Sequence, residues 1–185
     1  DLSGRVGVVT GGAGLLGAEF CRTLAAAGAA VAVADLDAAK AASVAAGLKS
    51  LPGAARPIEL DVTRPESVQR AVGEIVGAFG RLDILVNSAA LDPKFDPSQA
   101  GRHTNAFEEY PLDSWNQALA VNLTGLFLCS QAAARQMLAQ GRGVIINICS
   151  TYGLVGPDQR IYEHPGQPAR FKPVYYSVTK AGVLG

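Results

Sequence analysis

Short apolar runs and amphipathic segments alternate along most of the chain. The runs rich in Val, Ile, Leu and Ala predict five strands, at about Val6–Val9, Ala29–Ala34, Arg56–Leu60, Arg81–Val86 and Val144–Ile148. Apolar positions with helical spacing predict the helices between them, at about Leu15–Ala27, Asp37–Leu48, Thr63–Phe79 and Leu112–Ala139. This alternation predicts an α/β fold with a doubly wound parallel sheet, which binds its ligand at the carboxyl ends of the strands.

A helix-start signal precedes the third predicted helix. The stretch Thr63-Arg64-Pro65-Glu66 has the form of a capping box with proline in the first turn. We therefore predict that Thr63 caps this helix and that Glu66 reaches back to the cap. The apolar residues that follow share one helical face, so we interpret this helix as structural.

The turn between the first strand and the first helix is rich in glycine. Gly11, Gly14 and Gly17 would let the chain turn sharply, bring its backbone close to a pyrophosphate and pack the helix against the strand. The free N–H groups at the helix start, where Leu15 and Leu16 lie, would face the phosphates together with the positive end of the helix dipole. The stretch predicts a dinucleotide site, although the pattern alone also fits an ordinary strand-to-helix turn.

An acidic residue at the end of the second strand strengthens this interpretation. Asp35 lies 18 residues beyond Gly17, close to where a carboxylate meets the adenosine ribose hydroxyls in a dinucleotide fold. The neighbouring positions Gly12, Ala13 and Leu36 offer no cation for a 2′-phosphate. We therefore predict that the cofactor is NAD rather than NADP, with Asp35 and Leu36 in its binding site.

The composition limits the classes of partner. The chain has 185 residues, enough for a single domain over 1–185, and its 16 basic and 16 acidic residues give no reason to expect nucleic acid or an anionic membrane. We expect a small-molecule substrate. The three cysteines lie in apolar patterns and indicate buried thiols in a reducing compartment rather than disulfides. No apolar run has the length of a membrane helix, so we expect a cytoplasmic protein.

Two polar, proline-containing segments follow the fourth and fifth predicted strands, at residues 91–111 and 152–174. Because the carboxyl ends of parallel strands share one edge, we expect both loops to meet over the nicotinamide end of the cleft and to shape substrate choice. His103 and His164 lie in these loops without other ligands at metal-binding spacing. We therefore expect both histidines to be solvated, and we predict no metal site.

A tyrosine and a lysine near the end of the chain predict proton-transfer chemistry. Tyr176 and Lys180 are four residues apart, so on a helix their side chains share one face. A phenol titrates near pH 10, and a nearby ammonium favours the phenolate, which makes Tyr176 a candidate general base or acid. Ser150, after the fifth strand, would hydrogen-bond the substrate oxygen. Tyr175 is a rival for Tyr176, but residue 179 is threonine.

Several blocks of the sequence resemble the short-chain dehydrogenase/reductase family. The matching blocks are Thr10 to Gly17, Asp35, Asp61-Val62, Asn87-Ser88-Ala89-Ala90, Asn122-Leu123-Thr124-Gly125, Ile146 to Ser150 and Tyr176 to Lys180. The resemblance implies a Rossmann-type, NAD(P)-dependent oxidoreductase that forms a homodimer or homotetramer. It also implies that Asp61, Val62, Asn87, Ser88 and Ala89 contact the cofactor, with Tyr176 and Lys180.

The resemblance carries two further implications. Asn122, which is unfavourable in the middle of a helix, would hold a water relay to Lys180 and join Ser150, Tyr176 and Lys180 as a catalytic residue. The family also normally has two more strands and a substrate-binding segment beyond position 185. We therefore expect this sequence to be truncated at its C-terminus.

Two features depart from the commonest form of the family. Leu15 stands where that form has glycine, and the resulting glycine spacing resembles the extended branch, which acts on nucleotide sugars. Ser150 and Tyr176 are also 26 residues apart, about twice the usual distance. However, the stretch from Asn122 to Cys129 resembles the shorter branch. We therefore interpret the chain as a shorter-branch enzyme with an enlarged loop before the catalytic tyrosine.

These patterns predict an NAD-dependent oxidoreductase that interconverts a secondary alcohol and a ketone. The polar loops favour a carbohydrate-derived substrate. One alternative is a nucleotide-sugar epimerase or dehydratase, which would retain its cofactor through turnover. Another is a catalytically silent dinucleotide-binding sensor or scaffold. Net consumption of the cofactor would separate the first two functions.

Overall fold

A computed structural model describes residues 1–92, 105–167 and 169–185. The strands are β1 (Val6–Thr10), β2 (Ala30–Asp35), β3 (Ala55–Glu59), β4 (Ile84–Asn87) and β5 (Val144–Asn147). The α-helices are α1 (Leu15–Ala26), α2 (Ala38–Gly47), α3 (Pro65–Phe79), α4 (Leu112–Leu119), α5 (Leu126–Gln140) and α6 (Val174–Gly182). Most of the predicted 91–111 loop, including His103, lies outside the described residues, as does Pro168 of the second loop.

The five strands form one parallel sheet in the order β3-β2-β1-β4-β5. This arrangement confirms the predicted doubly wound α/β fold of Rossmann type. Pro57 pairs with Val33 in β3, which is an edge strand, and a proline is tolerated there because it has no N–H to donate to a further strand.

The three central strands β1, β2 and β4 are buried on both faces, as parallel strands in this class of fold are, whereas the edge strands β3 and β5 have exposed positions. Val9, Val31, Val33 and Val86 pack into a cluster with small residues of α1 and α2. Val8 and Leu85 have their side chains on the opposite face of the sheet. There they line a small apolar space with residues of α3 and α5. The strands therefore alternate their side chains between two helical layers.

The described residues group into two compact units. The first unit comprises Asp1–Ala89 and Thr124–Ile148, and it holds the whole sheet with α1, α2, α3 and α5. The second unit comprises Ala90–Leu123 and Cys149–Gly185, and it holds α4, α6 and the described parts of both loops. The single-domain organisation stays a prediction.

The predicted capping box at the third helix is wrong. Helix α3 begins at Pro65, its N-cap is Arg64, and no described side chain caps it. Thr63 instead donates its backbone N–H and its hydroxyl to Oδ1 of Asp61, at 2.9 and 2.6 Å. The threonine therefore closes the turn before the helix, because Asp61 offers it a charged acceptor two residues away.

The continuous helix predicted over Leu112–Ala139 is also wrong. Helix α4 ends at Leu119, a π-helical segment covers Ala120–Gly125, and α5 begins at Leu126. A π-helical turn holds one more residue than an α-helical turn and occurs frequently at functional sites. The unfavourable Asn122 lies within this segment.

The cysteine prediction holds for two residues of three. Cys21 and Cys129 are buried, and burial raises the pKa of each thiol to about 12. Cys149 lies beyond the end of β5 and is only partly buried, because the strand ends at Asn147.

A buried carboxylate connects the amino-terminal ends of three strands. Asp83, which is 5% exposed, accepts hydrogen bonds at 2.6 Å from Nε and an Nη of Arg81 and one at 3.0 Å from the backbone N–H of Val6. Arg5 lies 3.3 Å and Arg142 3.5 Å from its Oδ1. The cluster therefore fixes β1, β4 and β5 at the edge of the sheet opposite the predicted ligand edge.

The replacement Asp83→Asn should lower the free energy of unfolding by about 2 kcal/mol, because it removes the charge that three guanidinium groups share. Urea unfolding at neutral pH measures this loss. Glu59→Gln, on an exposed position of β3, is the matched control and should leave stability nearly unchanged.

The effect of Asp83 should depend on pH. Burial works to raise the pKa of this carboxyl, but the hydrogen bonds from Arg81 and Val6 outweigh burial and hold the pKa below its usual value. A lowered folded-state pKa contributes stability above the unfolded pKa of about 4, and this stability is lost as the pH falls through the folded pKa. The wild type and Asp83→Asn should therefore converge in acid, and a constant difference would contradict this assignment.

Candidate active site

The glycine turn of the first unit is packed too tightly for side chains. Gly11 has a φ of +62°, and a Cβ on it would lie 2.8 Å from Cα of Ala89. A Cβ on Gly17 would overlap the carbonyl oxygen of Gly11. Gly14 donates its N–H to the same oxygen at 3.0 Å and forms the N-cap of α1. Glycine is required here because the backbone turns back on itself.

The amino end of α1 is open. No described side chain caps this helix, and Leu15 and Leu16 are 87% and 58% exposed. The first N–H groups of a helix have no partner within the helix, and they carry the positive end of its dipole. This end of α1 can therefore bind an anionic group of a ligand. The two exposed leucines can contact the apolar parts of the same ligand.

Thr10, whose role the sequence did not reveal, anchors the chain after β4. Its Oγ1 accepts hydrogen bonds from the backbone N–H groups of Ser88 and Ala89, each at 3.1 Å. Asn87 donates from Nδ2 to Ser130 and Asn147, both at 2.9 Å, while its buried Oδ1 has no partner among the described residues. The predicted cofactor residues 87 to 89 are therefore held firmly beside the glycine turn.

Asp35 is held in place by two backbone N–H groups. Its Oδ2 accepts from Ala13 at 3.0 Å, and its Oδ1 accepts from Asp37 at 3.1 Å. Each carboxylate oxygen has a second lone pair, so both can accept further hydrogen bonds. Leu36 is 70% exposed next to it. The predicted acidic residue therefore lies against the glycine turn and faces no cation among these neighbours.

Asp61 and Val62 have local structural contacts. The hydrogen bond from the hydroxyl of Thr63 lowers the pKa of Asp61, and Arg64 lowers it to a smaller extent. Burial has the opposite effect but does not outweigh them. Val62 is buried, and a Cβ on Gly125 would lie 2.7 Å from its Cγ2. Their predicted contact with the cofactor stays a prediction.

In the second unit, the two candidate tyrosines are neighbours on α6 and differ in how deeply they are buried. Tyr175 is 2% exposed, its ring lies 5.9 Å from that of Tyr110, and burial raises its pKa. Tyr176 is only partly buried. Lys180, one turn further along the helix, is 7% exposed, and burial lowers its pKa. Tyr176 is therefore the more accessible of the two tyrosines, and it shares a helix face with Lys180.

Ser150 begins a short 3₁₀ turn over Thr151–Gly153. Its Oγ accepts the N–H of Tyr152 at 3.2 Å, which leaves its own proton available. A Cβ on Gly153 would lie 2.5 Å from the carbonyl oxygen of Lys180, and the thiol of Cys149 donates to that oxygen at 3.2 Å. The turn that carries Ser150 is therefore packed directly against α6.

The contacts of Asn122 explain its place in the π-helical segment. Its Oδ1 accepts the N–H of Leu91 at 2.7 Å, and its Nδ2 donates to the carbonyl of Leu91 at 3.2 Å and to Oγ1 of Thr179 at 3.1 Å. Both amide protons are therefore used to join residue 91 to α6. The predicted water relay to Lys180 stays a prediction, and the side chain has only one acceptor position left for it.

A charged pair that the sequence did not reveal lies beside Tyr176. The ammonium of Lys172 is 3.9 Å from the centroid of the Tyr176 ring and pairs with Asp92 at 2.5 Å. The ring of Tyr152 meets that of Tyr176 edge-on at 6.5 Å. The described parts of the two predicted loops are thus in contact. Lys172 precedes Pro173 and the helix, so helical spacing could not have placed it on Tyr176.

Across residues 1–92, 105–167 and 169–185, no three His, Cys, Asp or Glu side chains are grouped to hold a metal ion. None of the helices in these ranges has the length and apolar character needed to cross a membrane.

The part of the chain that carries the glycine turn, Asp35 at the end of β2 and Ser150 has a counterpart among known proteins. A protein-family model described as short chain dehydrogenase matches residues 5–162. The chain belongs to the short-chain dehydrogenase family. The recognition made from the sequence is therefore confirmed, while its assignment to the shorter branch stays a prediction.

Similar proteins include several dehydrogenases. D-threitol dehydrogenase of Mycolicibacterium smegmatis is 38% identical over 184 residues, covering 100% of this chain and 62% of that protein. A 3-alpha-(or 20-beta)-hydroxysteroid dehydrogenase of Mycobacterium bovis is 41% identical over 155 residues, covering 84% of this chain and 55% of that protein. The chain therefore spans less than two thirds of the length of these relatives.

Solved structures share the fold. The crystal structure of an NAD⁺-bound xylitol dehydrogenase matches 100% of this chain and 62% of its own, with a TM-score of 0.82 and 29% identity. A short-chain type dehydrogenase/reductase from Mycobacterium marinum has a TM-score of 0.83 and 31% identity. The predicted cofactor residues between Gly11 and Ala89 lie in the first unit. The predicted catalytic residues lie in the second unit, with Tyr176 and Lys180, which are also predicted cofactor contacts.

Proposed function

We propose that the protein is an NAD-dependent oxidoreductase that interconverts a secondary alcohol and a ketone by hydride transfer. The observation that carries this proposal is the placement of a partly exposed Tyr176 and a buried Lys180 one turn apart on α6. The family of the chain supports it, and its relatives are named as dehydrogenases of polyols and steroids.

The residues of the first unit fit a dinucleotide. The glycine turn has no room for a Cβ at Gly11 or Gly17, so its backbone can approach a ligand closely. The uncapped start of α1 offers N–H donors to phosphate oxygens. Asp35 keeps free lone pairs for ribose hydroxyls, and its charge would repel a 2′-phosphate. We therefore propose NAD as the cofactor, held by the turn, α1 and Asp35.

In this proposal, Tyr176 is the residue that transfers the proton. When an alcohol is oxidised, the phenolate of Tyr176 accepts the hydroxyl proton, and in the reverse direction the phenol returns it. The hydroxyl of Ser150 donates a hydrogen bond to the substrate oxygen, and Lys180 supplies a positive charge beside the phenol. NAD held by the glycine turn, α1 and Asp35 would supply the acceptor for the hydride of the carbinol carbon, and NADH would supply the hydride for the reverse reaction.

The substrate class and the assembly belong to the proposal. The polar loop over 152–174 favours a carbohydrate-derived alcohol, in agreement with relatives named for threitol and xylitol. We also propose that all of 1–185 belongs to one catalytic domain of a cytoplasmic enzyme, which acts as a homodimer or homotetramer.

Turnover assays test this function directly. The protein is incubated with NAD and a panel of polyols and steroid alcohols, and NADH formation is followed by absorbance. Formation of NADH with an equal amount of ketone supports the proposal, whereas no NADH with any secondary alcohol contradicts it. A product formed without net change of NAD would indicate the epimerase alternative, and NAD binding without any product would indicate the silent dinucleotide-binding protein.

Cofactor preference should change with Asp35 and Leu36. The double variant Asp35→Ser, Leu36→Arg removes an anion and adds a cation, so the preference for NAD over NADP should fall by at least about tenfold. Isothermal titration calorimetry with both cofactors measures it. The same pair of changes at the exposed Asp113 and Leu112 is the control. Equal or tighter NADP binding by the wild type would refute the assignment of Asp35.

A further inference from the structure

We propose that Lys172 is a positioning residue for Tyr176, and that its ammonium on the face of the phenol ring stabilises the phenolate. The inference rests on the proposed function, in which Tyr176 takes up the proton of the alcohol. It assigns a role to the enlarged loop over 152–174, because Lys172 is a residue of that loop.

The contact itself favours the ionised ring. The Lys172 ammonium lies 3.9 Å from the centroid of Tyr176, within the range of a cation–π interaction. Ionisation of the phenol adds a full negative charge to the ring system, so the attraction increases when the proton leaves. The Lys172 side chain is only 12% exposed, so water screens this interaction weakly.

Lys172 is fixed at both its backbone and its side chain. Its N–H donates to Oε1 of Gln159 at 2.9 Å, and its carbonyl accepts from Nε2 of the same side chain at 3.4 Å. Its ammonium pairs with Asp92. A long, flexible side chain would otherwise lose much conformational entropy when it is held against one ring. Because these contacts already restrict Lys172, its interaction with the Tyr176 ring costs less entropy.

Other titratable groups also surround the phenol. Tyr152 meets the ring edge-on, and Tyr162 donates its hydroxyl to that of Tyr152 at 3.4 Å. The titratable and charged groups near Tyr176 in the described residues include Asp92, Tyr152, Tyr162, Lys172, Tyr175 and Lys180. Within this set Lys172 and Lys180 favour phenolate, and Asp92 opposes it.

This charge arrangement predicts opposite effects for two variants of one ion pair. Lys172→Met removes the positive charge and should make Tyr176 harder to ionise. Asp92→Asn removes the negative charge but leaves the Gln159 contacts of Lys172, so it should make Tyr176 easier to ionise. If the ion pair only held the two loops together, both variants would disturb the ring in the same way.

Ionisation of Tyr176 can be measured without turnover. The tyrosinate absorbance of the protein is titrated with pH, and the titration of Tyr176→Phe in the same background is subtracted to isolate Tyr176. Lys172→Met should move the half-ionisation pH up by about one unit, and Asp92→Asn should move it down. Lys172→Arg, which keeps the charge, should stay close to the wild type.

Matched variants keep the test decisive. Lys49→Met removes one exposed lysine of the first unit and should leave the titration unchanged. If Lys172→Met does not fold, Lys172→Gln replaces it, and the Asp92→Asn titration stands by itself. Shifts in the same direction for both members of the pair, or no shift in either, would overturn the inference.

Kinetics then separate this inference from the proposed function. In an active enzyme, Lys172→Met should move the acid limb of the pH–rate profile to higher pH and lower kcat at neutral pH, with an unchanged KM for NAD. Alcohol oxidation without the shift refutes the role of Lys172. The expected shift in a protein that oxidises no alcohol refutes the proposed function and leaves the electrostatic pairing established.

Discussion

Tyr176→Phe should reduce turnover by about 10³-fold or more, because it deletes only the hydroxyl that carries the proton and leaves the ring. Its affinity for NAD should stay nearly unchanged, since the glycine turn and Asp35 are untouched. Steady-state kinetics with the best alcohol of the panel and calorimetric titration with NAD measure the two quantities separately.

Tyr175→Phe is the matched control for this result. The hydroxyl is removed from the neighbouring residue, which is 2% exposed and packs against Tyr110. Most of the activity should remain, because the buried phenol has little access to a substrate. Loss of turnover in Tyr175→Phe with retention in Tyr176→Phe would place the catalytic tyrosine one residue earlier than we do.

Gly17→Ala should have the largest effect on stability. The added Cβ would overlap the carbonyl oxygen of Gly11 and come within 2.9 Å of Cα of Gly12, and both of these are backbone atoms that cannot rotate away. We expect a loss of about 3 kcal/mol or more in the free energy of unfolding, together with loss of NAD binding. Urea unfolding and calorimetry measure these effects.

Gly73→Ala is the control for Gly17→Ala. Gly73 lies on the exposed face of α3, and nothing stands within 4 Å of an added Cβ. Alanine should therefore stabilise this helix by up to about 1 kcal/mol. If both variants behaved alike, the close packing of the glycine turn would not be the cause of the loss.

The sequence predicts most of the fold because strands and helices have different patterns of apolar residues. Buried parallel strands are continuous apolar runs, and helices between them have one apolar face, so the order of elements could be predicted. The π-helical segment could not, since the spacing of Leu119, Leu123 and Leu126 also fits an uninterrupted helix. The capping box at Thr63 was false because the N-cap of α3 is Arg64, one residue later, while the hydroxyl of Thr63 donates to Asp61.

The candidate site was predictable where chemistry depends on spacing along one element. Tyr176 and Lys180 lie on one helix, so their position on a shared face could be derived from their spacing of four residues. The contacts of Thr10 with Ser88 and of Lys172 with Asp92 join segments about 80 residues apart. Such contacts depend on tertiary structure, which no local pattern in the sequence encodes.

The Gln159 clamp has a consequence for how this loop can vary in length. By holding Lys172 with two hydrogen bonds, Gln159 closes the loop at its base and leaves residues 163–167 as an exposed tip. Insertions, deletions and proteolytic nicks are tolerated best at such tips. The base and the tip can therefore evolve independently: the tip can acquire new lengths or epitopes while Lys172 keeps its place on Tyr176.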